Sequence, residues 1–126
     1  DQVPQALKPY ILDFLWDMEK LHRLELPTET VLLADLLWHL DLPWWQYNGT
    51  VFCLSPKQVW NEPEKYHEQY ARTKNADLQH PIIVRKQGDK LVIMDGVHRL
   101  LKAVILRQEH VHVKVFDTKH SRFIAV

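Results

Sequence analysis

The strongest constraint on this chain is the way one segment ends and the next begins. Leu91-Val92-Ile93-Met94, opened by Lys90, is apolar throughout and has the length of a β-strand, and it stops at Asp95-Gly96. With no linker, Val97, Leu100, Leu101, Val104 and Ile105 then recur at helical spacing. His98, Lys102 and Gln108 fall on the polar face of that helix, with Arg99 beside them. A strand running straight into an amphipathic helix calls for a sheet with helices packed on it. An apolar strand of this kind is expected at the centre of the sheet.

The neighbouring segments supply partners. Pro81-Ile82-Ile83-Val84-Arg85 reads as a strand, joined to the next by a turn at Gln87-Gly88-Asp89. After the helix, Val111, Val113 and Val115 alternate with His112 and Lys114, the pattern of a half-buried strand. Upstream, residues 5–22 are expected to form an amphipathic helix with Leu7, Ile11, Phe14, Leu15, Met18 and Leu21 on one face. Its apolar side is expected to complete the core, with a homodimer seam as the alternative. Residues 30–33 read as a short strand and 34–40 as a short helix broken at Asp41-Leu42-Pro43. Trp44, Trp45, Tyr47 and Phe52 then form an aromatic cluster that serves as core or, alternatively, as a stacking platform. Ser55-Pro56 is a helix start, with Ser55 as N-cap, and Pro63 opens a second helix over 63–73. Residues 122–126 are expected to add one more short element. The sum is a single α+β domain over 1–126, a small mixed sheet with packed helices and no internal repeat.

Composition narrows the partners. The 126 residues carry 16 Lys/Arg and 16 Asp/Glu, a net charge of zero, which argues against a protein built to grip duplex DNA. The balance is uneven: residues 1–76 carry 7 Lys/Arg and 11 Asp/Glu, and residues 77–126 carry 9 and 5. The basic half suits a smaller anion such as a nucleotide, or the halves simply pack against each other. Cys53 is the single cysteine, so no disulfide framework exists, and none of the 8 histidines falls in a zinc pattern. No segment reads as a signal or a membrane span, so no membrane partner and a cytoplasmic location are expected.

The chemistry concentrates in Asp95-Gly96-Val97-His98-Arg99. Gly96 permits a tight turn and close backbone approach, and the free N–H groups of the first helical turn make an anion site. Arg99 can hold a phosphate bidentately. Asp95 can cap the helix, hold Mg²⁺ or orient a hydroxyl. Each feature also occurs in ordinary turns and caps.

From residue 80 to 116 the chain resembles the core of the ParB/sulfiredoxin superfamily. Three pieces carry the likeness in order: the Pro-Ile strand at Pro81–Val84, the Asp-Gly-x-His-Arg turn at Asp95–Arg99 with Ala103 after it, and the Val-x-Val-x-Val strand at Val111–Val115. The resemblance implies a nucleotide-binding core over about 80–116. Sulfiredoxins place a catalytic cysteine where this chain has Val97, and Cys53 lies in another segment, so that chemistry is not expected. Partition proteins of the ParB type bind CTP and usually carry Gly-x-Arg-Arg at this turn, where this chain has Gly96-Val97-His98-Arg99, so a complete partition protein is not expected. The free-serine kinases of the superfamily carry Asp-Gly-His-His-Arg and a His-Glu-Gln tripeptide; here the counterparts are Asp95–Arg99 and His67-Glu68-Gln69.

By that resemblance the domain is expected to be a small ATP- or ADP-dependent phosphotransferase acting on a small hydroxyl compound, with Mg²⁺ accompanying the nucleotide. Glu68 would be the base, Asp95 and His98 the other catalytic groups, and Gly96, Val97, His98, Arg99 and Lys102 the nucleotide contacts. The alternative is a ParB-type switch that binds CTP and a DNA or protein partner without turnover. A scaffold that has lost its chemistry is a third class, and a nuclease lacks the carboxylate cluster that two metal ions need.

Overall fold

In the computed structural model, which describes residues 3–126, the N-terminal segment departs most from expectation. The helix over 5–22 does not form. Residues Lys8–Tyr10 make one 3₁₀ turn, and α-helix resumes only at α1 (Met18–Arg23). The reason is local. Pro9 removes a backbone donor near the start of the expected helix and sits in the first turn of the 3₁₀ segment, and the chain turns extended at Ile11 right after it. Asp17 then starts a fresh helix, its carboxylate accepting from the Lys20 N–H at 3.0 Å. Just before it, Trp16 makes a β-bridge with Ala125, so the segment is held across the chain and not along its own axis.

β1 (Thr28–Leu32) follows and runs into a nine-residue 3₁₀ helix, Leu33–Asp41. The aromatic stretch folds into a hairpin, β2 (Trp45–Tyr47) and β3 (Thr50–Leu54), turned at Asn48-Gly49, where both residues have positive φ. α2 (Pro56–Asn61) starts as expected. Ser55 caps it, and Gln58 reaches back to complete a reciprocal box. α3 (His67–Asn75) begins four residues later than the expected 63, because residues 63–66 are taken up in turns before it.

β4 (Ile82–Gln87), β5 (Lys90–Asp95), α4 (Val97–Ile105) and β6 (His110–Phe116) complete the expected core, and a 3₁₀ turn and α5 (Ser121–Ile124) close the chain. The main sheet is mixed, in the order β1-β6-β4-β5; only the β4/β6 pair is parallel. The domain is therefore α+β, a four-stranded mixed sheet with several helices.

β5 is an edge strand, not the central one. Its apolar sequence is explained by cover on that edge. The 3₁₀ helix 33–41 lies along it, and buried His39 accepts the outward Ile93 N–H on Nε2 at 2.9 Å. The other ring nitrogen donates to the Leu36 carbonyl at 2.8 Å, which fixes the tautomer. Burial pushes the His39 pKa down to about 4, so the ring is neutral and able to accept.

The run Ile82-Ile83-Val84 is apolar throughout because the sheet is covered on both faces. Ile82 and Val84 join Val111, Val113, Leu100 and Leu101 in the larger core. Ile83 joins Phe116, Leu21 and Ile124 in a smaller one under α1 and α5. Among the described residues, no helix is long and apolar enough to cross a membrane.

Candidate functional site

The candidate site is the turn from β5 into α4. Gly96 is the N-cap, with φ 119° and ψ 23°, a left-handed conformation that L side chains rarely adopt. A Cβ there would lie 3.2 Å from the Ile82 side chain and 3.3 Å from its Cα. Glycine is thus required both by conformation and by the close approach of β4. No side chain caps the helix, so the first-turn N–H groups are left for another acceptor.

Asp95, for which a cap is one of the readings, faces elsewhere. It pairs with Ile83 across a β-bulge between Ile83 and Val84, and its Oδ2 accepts from Arg99 at 2.8 Å and from His22 Nε2 at 2.7 Å. With Asp95 engaged by α4 and α1 together, the N-cap role falls to the backbone alone.

Two of the expected phosphate contacts hold backbone instead. Arg99, mostly buried, donates to the carbonyls of Pro81 and His80, so it ties the start of β4 to α4. Lys102 donates to the carbonyls of Lys74 and Ala76, at 2.8 and 2.7 Å, and closes the C-terminus of α3. Both side chains thus have backbone partners in place.

His98 is also withdrawn from the polar face. Its ring stacks on Trp45, centroids 4.2 Å apart and planes 8° from parallel. Nε2 donates to Gln69 Oε1 at 2.8 Å, and the Gln69 amide donates on to the Gln46 carbonyl. The pKa falls to about 4, chiefly through burial and then the charge of Arg72; Asp95 opposes the shift and Arg99 adds to it. At neutral pH His98 is an uncharged donor, not a cation for phosphate.

Several clefts surround these groups, Arg99 also lining one of about 390 Å³ with His80 and His112. One of about 340 Å³ contains Asp95, Gly96, Val97 and His98, with Arg85, Tyr10, Trp16, Trp44 and Trp45 on its walls. A second, about 420 Å³, lies on the far side of the Asp95–Arg99 pair and includes His22, His80 and Lys114. Glu68 lies in a third, about 360 Å³, with Lys65, Asn48 and Gly49. The structure brings Asp95, Gly96, Val97 and His98 together and leaves Glu68 and Lys102 apart from them. In the His67-Glu68-Gln69 tripeptide it is Gln69 that touches the site.

Sequence reading does not single out His22 or Arg85, names Gln69 only within the His-Glu-Gln tripeptide, and offers Trp45 as a stacking surface without His98 as its partner. Each reaches the site by a contact distant in the chain, which periodicity does not register. Among the described residues, no three His, Cys, Asp or Glu side chains gather as a metal-holding group. Asp95 is moreover engaged by Arg99 and His22, so these residues do not fit a protein-held Mg²⁺.

Comparison with protein-family models, with curated proteins and with solved structures finds no match for this chain.

Proposed function

We propose that this chain is a nucleotide-binding domain of the ParB/sulfiredoxin-like kind that receives phosphate on the first turn of α4. One observation carries the reading: α4 starts on a glycine N-cap with no side chain folded back over it, and that end opens into a cleft with aromatic walls. The uncapped N–H groups and the helix dipole favour an anion, and the Trp and Tyr side chains suit a planar base.

Phosphoryl transfer to a small hydroxyl compound is the activity proposed for it. The observation favouring turnover is the His22–Asp95 pair, a carboxylate aligned by an imidazole at 2.7 Å beside the turn. Asp95 lines the α4 cleft and Glu68 a separate one, so the base proposed is Asp95, through the carboxylate oxygen other than the Oδ2 that Arg99 and His22 hold. The ParB-type switch without turnover is the alternative, for which the same cleft would serve.

The test is a thermal-shift panel with ATP, ADP, CTP and GTP, each with Mg²⁺. A ligand at one hundred times its dissociation constant stabilises by about 2.7 kcal/mol, several degrees in a domain of this size. An adenine preference with product formation that Asp95→Asn abolishes and Glu68→Gln spares supports the phosphotransferase. A CTP preference without product supports the switch, and no shift with any of the four contradicts nucleotide binding.

A further inference from the structure

Arg85 is buried, 6% exposed, on β4. Its guanidinium donates to two uncharged oxygens, Gln87 Oε1 at 2.7 Å and the Tyr10 carbonyl at 3.0 Å. Among the described residues no carboxylate pairs with it, whereas Arg99 has Asp95 at 2.8 Å. A buried guanidinium without a counter-charge is costly, and a neutral amide could donate to the same oxygens without that penalty. Burial accordingly pushes its pKa down.

The surroundings of Arg85 say where the missing charge belongs. Arg85 lines the 340 Å³ cleft together with Gly96, Val97 and His98. The one carboxylate on that cleft, Asp95, is already engaged by Arg99 and His22. A guanidinium on one wall and the uncapped end of α4 on another leave the cleft with an excess of positive potential. The remaining wall includes Trp16 and Trp44, which offer flat apolar surface.

We infer that Arg85 is a ligand-binding residue whose counter-charge is the phosphate of a nucleoside phosphate, with the base against the tryptophan wall. This rests on the nucleotide reading above and deepens it. The anionic group, not the base, then supplies most of the affinity, and Arg85 is the residue that reads it.

Calorimetric titration of the whole chain tests this with ATP, CTP, adenosine and cytidine on wild type, Arg85→Gln and Arg85→Lys. Loss of a charge-assisted pair predicts that Arg85→Gln weakens the nucleotides by about tenfold or more and leaves the nucleosides unchanged, with Arg85→Lys in between. Nucleotide affinity within about twofold of wild type in Arg85→Gln overturns the inference and leaves the nucleotide reading standing. Equal losses for nucleotide and nucleoside also overturn it, since they mark a purely structural role. Should Arg85→Gln fail to fold, the wild-type Arg85 Nε resonance, identified by its loss in Arg85→Lys, must shift with ATP and not with adenosine; an unmoved resonance overturns the inference. No binding of ATP or CTP by wild type removes the nucleotide reading itself, and this inference with it.

Discussion

Gly96 and His39 show how single residues set this fold. Gly96→Ala would place a methyl against Ile82 in a left-handed conformation. We expect a loss of about 1–3 kcal/mol, read from the urea midpoint. His39 is stabilising only while neutral. Its folded pKa, about 4, lies below the usual 6.5, so the unfolded chain binds the proton more readily. The contribution is fully present above pH 6.5 and is lost as pH falls from there towards 4, about 3 kcal/mol in all. Urea midpoints at pH 7.5 and 4.5 should show the decline in wild type and a flatter profile in His39→Gln. The need for glycine at position 96 was legible in the sequence, because a strand meeting a helix leaves few ways to turn. The roles of His39 and His98 were not. Their partners, Ile93 and Trp45, are brought to them only by the tertiary fold.

At the level of elements, β4, β5, α4 and β6 were readable because periodicity and turn residues agree there. The apolar spacing over 5–22 does not become one helix, because the chain turns extended at Ile11 and is restarted by the Asp17 cap. β5 was misread as central because an apolar strand usually means two strand neighbours; here a 3₁₀ helix covers the free edge. Lys102 links two elements, holding the last carbonyls of α3 from α4. Lys102→Ala should therefore cost about 1–2 kcal/mol in chemical denaturation and leave nucleotide affinity unchanged. A loss of affinity at constant stability would restore Lys102 as a phosphate contact.

Across the whole molecule, the acidic and basic halves of the sequence do not become two faces. β1 from the first half pairs with β6 from the second, and Glu29 meets Lys86 at 3.9 Å within one sheet. Arg85 and the start of α4 share one cleft. α1 and the residue before it are tied to the C-terminal residues and to β5. The Asp17 N–H donates to the Ile124 carbonyl, Lys20 reaches the Ala125 carbonyl, and His22 joins Asp95. His22 is half-exposed, so His22→Ala should cost less than about 1 kcal/mol globally. It should nevertheless speed amide exchange within Met18–Arg23, because it releases the tie to Asp95.

The most direct measurement is a two-dimensional amide NMR titration of the whole chain with ATP and with CTP. Phosphate held by the first turn of α4 predicts that the Gly96, Val97 and His98 amides shift most, while those of Lys65 and Glu68 in the separate cleft stay in place. Shifts confined to the Glu68 cleft, or none at any amide with either nucleotide, would contradict a nucleotide site at α4.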